Sequence, residues 1–147
     1  MLKRLTLSLL TASNLMLGAS CSFGIGVVDG SLEACDPKPN CVSTSSTDST
    51  HAIEPWSYDQ SFDLETVKSK LVKILDIADN MASITVENNY IHAEFKSKIF
   101  KFVDDVEFLI DEDKHVIQVR SASRVGYFDF KVNRKRVEKL KKAFYAK

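Results

Sequence analysis

Excess charge of either sign is missing from this sequence: 20 lysines and arginines are matched by 20 aspartates and glutamates. A nucleic-acid-binding module shows a basic surplus over its domain, so no nucleic-acid partner is expected. Wholesale disorder is equally excluded, because 44% of the 147 residues are hydrophobic. Also missing is the run of about 20 apolar residues that a bilayer-spanning helix requires. The longest apolar stretch, residues 5–17, is interrupted by Ser8, Ser13 and Asn14. Catalytic signatures are absent too: the chain has no Gly-x-Ser-x-Gly elbow, phosphate loop or His-Glu-x-x-His motif. Its three histidines, His51, His92 and His115, fall in separate segments and are expected on the surface or the arm rather than as metal ligands. No cofactor is implied, and the expectation is a non-catalytic protein of one domain.

The first residues have a character of their own. Lys3 and Arg4 precede the apolar stretch, and Gly18, Ala19 and Ser20 precede Cys21. This is the pattern of a secretory signal peptide over residues 1–20. The small residues before Cys21 resemble a bacterial lipobox, in which the cysteine is lipidated and becomes the first residue of the mature chain. Gly18 stands where that pattern expects Leu, and Leu17 lies one place earlier. The alternative is ordinary cleavage and release into the periplasm. With the lipid reading, the chain is an exported lipoprotein on the periplasmic side of a bacterial membrane. Ser22 resembles the residue that favours sorting to the outer membrane.

Setting Cys21 aside leaves Cys35 and Cys41, separated by a loop containing Pro37 and Pro39. In an oxidising compartment such a pair becomes a disulfide. A metal site would need further Cys or His ligands nearby, and a redox pair would resemble Cys-x-x-Cys.

Along the rest of the chain, residues 21–62 read as a tether and extended arm and residues 63–147 as an α+β domain. The Ser/Thr-rich stretch 42–50 reads as a loop, and Trp56 is expected to anchor the arm. Asp63 can cap a helix over residues 64–79, with Leu64, Val67, Leu71, Ile74, Leu75 and Ala78 on one face. Four alternating strands follow. A turn at Asn88-Asn89 pairs Val86 with Ile91 and Ile84 with Ala93. A turn at Glu112-Asp113 pairs Phe108 with Ile117 and Val106 with Val119, and sets Asp105 opposite Arg120 and Glu107 opposite Gln118. Asn133 is the expected N-cap of a last helix running to about Tyr145. The fold class is therefore α+β, a four-stranded antiparallel meander with the N- and C-terminal helices packed on one face.

Four segments carry a resemblance: residues 39–43 (PNCVS), 102–108 (FVDDVEF), 120–127 (RSASRVGY) and 133–136 (NRKR). In this order they resemble the domain of unknown function 1499 family of bacteria and plastids, over roughly residues 35–145. Phe128 and Lys131 depart from the family, which usually has Ser and Gly there. The resemblance implies a fold and an exported setting, with no established activity.

The densest polar constellation lies in these segments. Arg120 and Arg124 sit on one side of a strand, near Asp105 and Ser123, and form a candidate anion-binding edge to which Arg134 and Arg136 could add donors. The competing reading is the solvated face of a half-buried sheet. A hydrolase using Ser121 or Ser123 is the weaker alternative, since His115 lies roughly 20 Å along the strand from Ser121. Charge is also unevenly spread: residues 22–65 hold one base against eight acids, and residues 131–147 hold eight bases against one acid. The basic closing helix is a candidate contact for anionic lipid headgroups.

Overall fold

The computed structural model describes residues 24–128 and 130–146. The expected signal peptide over residues 1–20 and the expected lipidation site Cys21 lie outside the described residues. Ten elements follow in chain order: β1 (Val27–Val28), β2 (Ser31–Leu32), β3 (Cys41–Ser43), β4 (Trp56–Ser57), α1 (Leu64–Asp76), β5 (Met81–Glu87), β6 (Tyr90–Lys96), β7 (Val103–Asp111), β8 (Val116–Ser123) and α2 (Val132–Tyr145).

The class is α+β, but the main sheet has six strands rather than four. The antiparallel meander β5-β6-β7-β8 is there, and two short strands from the arm extend it. Cys41, Val42 and Ser43 pair with Ala122, Ser121 and Arg120, while Trp56 and Ser57 pair with Ile117 and Val116. Since β7 takes the whole of one edge of β8, β3 and β4 must lie end to end along the other. Residues 42–43, read as loop from their Ser/Thr-rich surroundings, thus close a sheet edge. A strand of three residues is too short to show a period of two in its sequence.

Asp63 caps α1 as expected, its carboxylate accepting the Thr66 N–H at 2.8 Å. The helix ends at Asp76 rather than Asp79, with Ile77 as its C-cap, and Asn80 then turns the chain at φ +66° into β5. The first hairpin has the expected register, Val86 opposite Ile91 and Ile84 opposite Ala93, with Asn88 at φ +49°. The second does not. Asp111 pairs with Val116, leaving a four-residue loop, so Glu107 faces Arg120 and Asp105 faces Ala122. The Asp111 carboxylate accepts the Lys114 N–H at 3.0 Å, and His115 takes a left-handed φ of +51°, which together build the longer turn.

Asn133 is not the N-cap of α2. Lys131 occupies that position at φ +63° with no side-chain cap, and Asn133 sits buried in the first turn. The left-handed conformation at Lys131 is one a glycine would adopt without steric cost.

Both helices pack on the sheet face that carries Ile91, Ala93, Phe95, Val106, Phe108, Ile110, Ile117 and Val119. Trp56 is fully buried there, its ring 5.4 Å from that of Phe108 and 5.8 Å from that of Phe144. The arm is therefore anchored as expected. Its β1–β2 hairpin crosses the opposite, polar face, where Leu32 is buried and β2 lies against β7 and β8. A disulfide joins Cys35 to Cys41 with their Cα atoms 5.7 Å apart. Closing so short a loop stabilises by about 2 kcal/mol through the entropy of the unfolded chain. Among the described residues no helix is long and apolar enough to cross a membrane.

Candidate functional site

The four polar segments converge at one end of β7 and β8, where they form two networks on opposite faces of the sheet. On the polar face, alternation along β7 turns Asp105 and Glu107 toward Tyr90, His92 and Glu94 of β6 and Arg120 of β8. Glu107 is fully buried. Its carboxylate accepts from Arg120 Nη1 at 2.8 Å, from the Tyr90 hydroxyl at 2.8 Å and from the Gly26 N–H at 2.7 Å. Burial first, and then the adjoining Glu107 charge, push the Tyr90 hydroxyl far above its ordinary pKa.

One pleat along, Arg124 binds Asp105 in fork geometry, Nε to Oδ2 at 2.9 Å and Nη2 to Oδ1 at 2.8 Å, and also binds Glu94. His92 Nε2 lies 2.7 Å from Asp105 Oδ1 and, facing a carboxylate, is the donor. Burial alone would raise Asp105, but the hydrogen bonds from His92 and Arg124 outweigh it and hold the carboxyl below its ordinary range. The guanidinium of Arg124 is held charged, chiefly by its hydrogen bonds to Asp105. The ligand atoms of His92, Glu94 and Asp105 lie within 4.8 Å of one another, a spacing compatible with a metal ion. Arg124 bridges both carboxylates, however, so a cation already stands in that place.

His92 titrates above the ordinary histidine value, first because of its hydrogen bond to Asp105, with burial opposing. A raised folded-state pKa contributes stability that is complete below the unfolded value of about 6.5 and is lost as pH rises through the folded value. The unfolding midpoint should therefore fall as pH rises above about 6.5 and through the folded value, and His92→Asn should flatten that fall. A pH profile unchanged by the substitution would show that His92 does not carry the linkage.

The second network lies on the helix side. Asn133 accepts from Ser121 Oγ at 2.5 Å and from Arg136 Nη1 at 2.7 Å, and its Nδ2 donates to the Asn40 carbonyl at 2.9 Å and to Ser123 Oγ at 3.0 Å. Asn40 Nδ2 in turn donates to the Gly126 carbonyl at 2.9 Å. Arg136 pairs with Asp104 at 2.5 Å and lies 4.8 Å above the Phe95 ring. The arm before β3, the end of β8 and the first turn of α2 are thereby joined.

Of the six residues expected at an anion edge, four come together. Asp105, Arg120, Ser123 and Arg124 line a cleft of about 300 Å³ beneath the arm, together with Glu33, Asp36 and Lys38. The expected Asp105–Arg120 pair is replaced by Asp105–Arg124 and Glu107–Arg120. Arg136 lies on the opposite face, and Arg134 donates to the carbonyls of Thr50 at 2.7 Å and Ala52 at 3.2 Å. Three acids and three bases line the cleft. Its positive charge is matched inside the protein. Ser121, the hydrolase candidate, is buried with its hydroxyl committed to Asn133, and His115 stands at the far turn against the Tyr58 ring.

His92, Glu94, Tyr90, Asn40 and Asn133 were not among the expected site residues. The alternation of Tyr90, His92 and Glu94 on one face of β6 was readable, but their partners depended on the β6–β7 register. No curated protein matches the chain. The model of the family described as "Protein of unknown function (DUF1499)" matches residues 31–144, which include β2 through nearly all of α2 and every side chain of both polar networks. With well over half of its length matched, the chain belongs to the DUF1499 family.

Proposed function

We propose that this protein is a non-catalytic lipoprotein of the bacterial cell envelope, exported by residues 1–20 and held to the periplasmic side of a membrane through lipid on Cys21. The Cys35–Cys41 disulfide carries the reading. It is the pairing that an oxidising, extracytoplasmic compartment maintains, and it pins the arm where that arm enters the sheet. The polar networks support a non-catalytic role, since Glu107, Asp105 and Glu94 are committed to Arg120, Arg124, Tyr90 and His92. The alternative, a soluble periplasmic module for a small anion, would draw on Arg120 and Arg124. Their charge is spent on those carboxylates, and no observation favours it.

The test is cell fractionation with mass spectrometry of the N-terminal peptide. The wild type should sediment with membranes and yield a peptide beginning at Cys21 with added acyl mass, and Cys21→Ala should lose both. Recovery of the wild type in the soluble periplasmic fraction, without acyl mass, would refute the tether.

A further inference from the structure

The exposed apolar residues are concentrated at one end of the molecule. The β6–β7 loop, residues 97–102, and the β8–α2 loop, residues 124–131, leave the sheet side by side, joined where the Arg124 N–H donates to the Val103 carbonyl. The first exposes Ile99, Phe100 and Phe102, and the second exposes Tyr127, Phe128 and Phe130. Phe100, Phe128 and Phe130 retain 71%, 70% and 87% of their full accessibility. Within each loop the rings contact one another, Phe100 on Phe102 at 5.6 Å and Tyr127 on Phe128 at 4.8 Å. Phe130 and Lys131 both hold left-handed backbone conformations. Such strain costs of order 1–3 kcal/mol for a bulky residue, here with its ring in water. Burial against the described residues does not account for this cluster.

Charge identifies what covers it. The stretch 96–102 holds Lys96, Lys98 and Lys101, all exposed, and no acid. Aromatic rings at loop tips with lysines beside them are the composition of a surface that enters the headgroup region of an anionic bilayer. The chain outside the described residues gives the same direction. Gly24, where the described residues begin, lines the same cleft as Arg124 and Gly126 at the base of the second loop. Three residues span at most about 11 Å, so lipid on Cys21 would bring a membrane to this end.

We propose that the 97–102 and 124–131 loops form a membrane-docking surface, their aromatic tips inserted among anionic phospholipid headgroups and their lysines against the phosphates. This deepens the lipoprotein reading, and the orientation it implies rests on the Cys21 tether. Docking sets the polar cleft and the arm beside the membrane rather than far above it.

The test uses full-length protein carrying Cys21→Ala, so that no acyl chain contributes, with vesicles of phosphatidylcholine or of mixed phosphatidylglycerol and phosphatidylcholine. Binding should favour the anionic vesicles and weaken with salt. Replacing Phe100, Phe128 and Phe130 by Ser should lower partitioning about tenfold for each ring removed. Lys98→Glu with Lys101→Glu should lower it by several-fold per lysine, in anionic vesicles only. Because the leader is common to every variant, depth is read separately: the Phe128→Trp variant should be quenched by brominated acyl chains, against the constant background of buried Trp56. Equal partitioning of parent and triple-Ser protein, or an unquenched Phe128→Trp variant, would overturn the proposal. Self-association that the Ser substitutions abolish while vesicle binding persists would also overturn it, by assigning the surface to a second copy. None of these readouts depends on lipidation. A failed tether and a failed docking surface are therefore distinguished.

Discussion

Arg120→Met should destabilise the fold by about 3–5 kcal/mol in urea denaturation, because it leaves a buried carboxylate without its cation. Glu107 is fully buried and Arg120 is 8% exposed, so neither charge can be rehydrated without opening the arm. Tyr90 and Gly26 would still donate to Glu107, but two neutral donors do not replace a guanidinium. The double variant Glu107→Gln, Arg120→Met separates the charge from the shape. Glutamine keeps an acceptor oxygen for Tyr90 or Gly26, and methionine fills much of the arginine stem's volume, so the double variant should recover to within about 2 kcal/mol of the parent. A loss below about 1 kcal/mol for Arg120→Met would place the pair in the class of exposed ion pairs. That outcome would contradict the buried geometry.

This pair was hidden in the sequence for a specific physical reason. Side chains alternate with period two, so a one-residue slip exchanges the faces of a strand while a two-residue slip preserves them. The pattern of Val106, Phe108 and Ile110 against Ile117 and Val119 fits both the expected register and the observed one. Only the turn decides between them. At Asn88-Asn89 a residue tolerant of positive φ sat in a two-residue turn, and every expected pair of the first hairpin is present. In the second hairpin the decisive acts are the Asp111 side chain capping the Lys114 N–H and His115 going left-handed. Neither has a strong local signature. The faces were legible, whereas the partner of Glu107 was not.

The arm shows the same division. Trp56 was recognisable as an anchor because it is the only tryptophan, set in an otherwise polar stretch. That β3 joins β8 could not be read from Cys41, Val42 and Ser43, because the pairing is long-range and its hydrogen-bond partners lie some 80 residues away. The polarisation of charge was legible and acquires a purpose in the structure. Arg136 and Lys139 of the basic helix are paired with Asp104 and Asp79, which tie α2 to β7 and to the turn after α1.

Asn133→Ala should cost about 3 kcal/mol, since each buried polar group stranded by the change costs roughly 1–3 kcal/mol. The groups at stake are the Ser121 hydroxyl, the Asn40 carbonyl and one bond from Arg136. They belong to the arm, β8 and α2, so one side chain holds three parts of the chain that the backbone brings together only at this point. The sequence suggested a different role, an N-cap, whose loss would cost about 1 kcal/mol. Serine discriminates between the two. Ser is as good as Asn at a helix cap, so Asn133→Ser would be nearly silent in that role. In the buried network, a serine hydroxyl has one proton to donate and a shorter reach. It cannot serve Asn40 and Ser123 as donor while also accepting from Ser121 and Arg136. Asn133→Ser should therefore lose nearly as much stability in urea denaturation as Asn133→Ala. A silent Asn133→Ser would return this residue to the capping role and leave the union of the arm with α2 to the Arg136–Asp104 pair and the core beneath it.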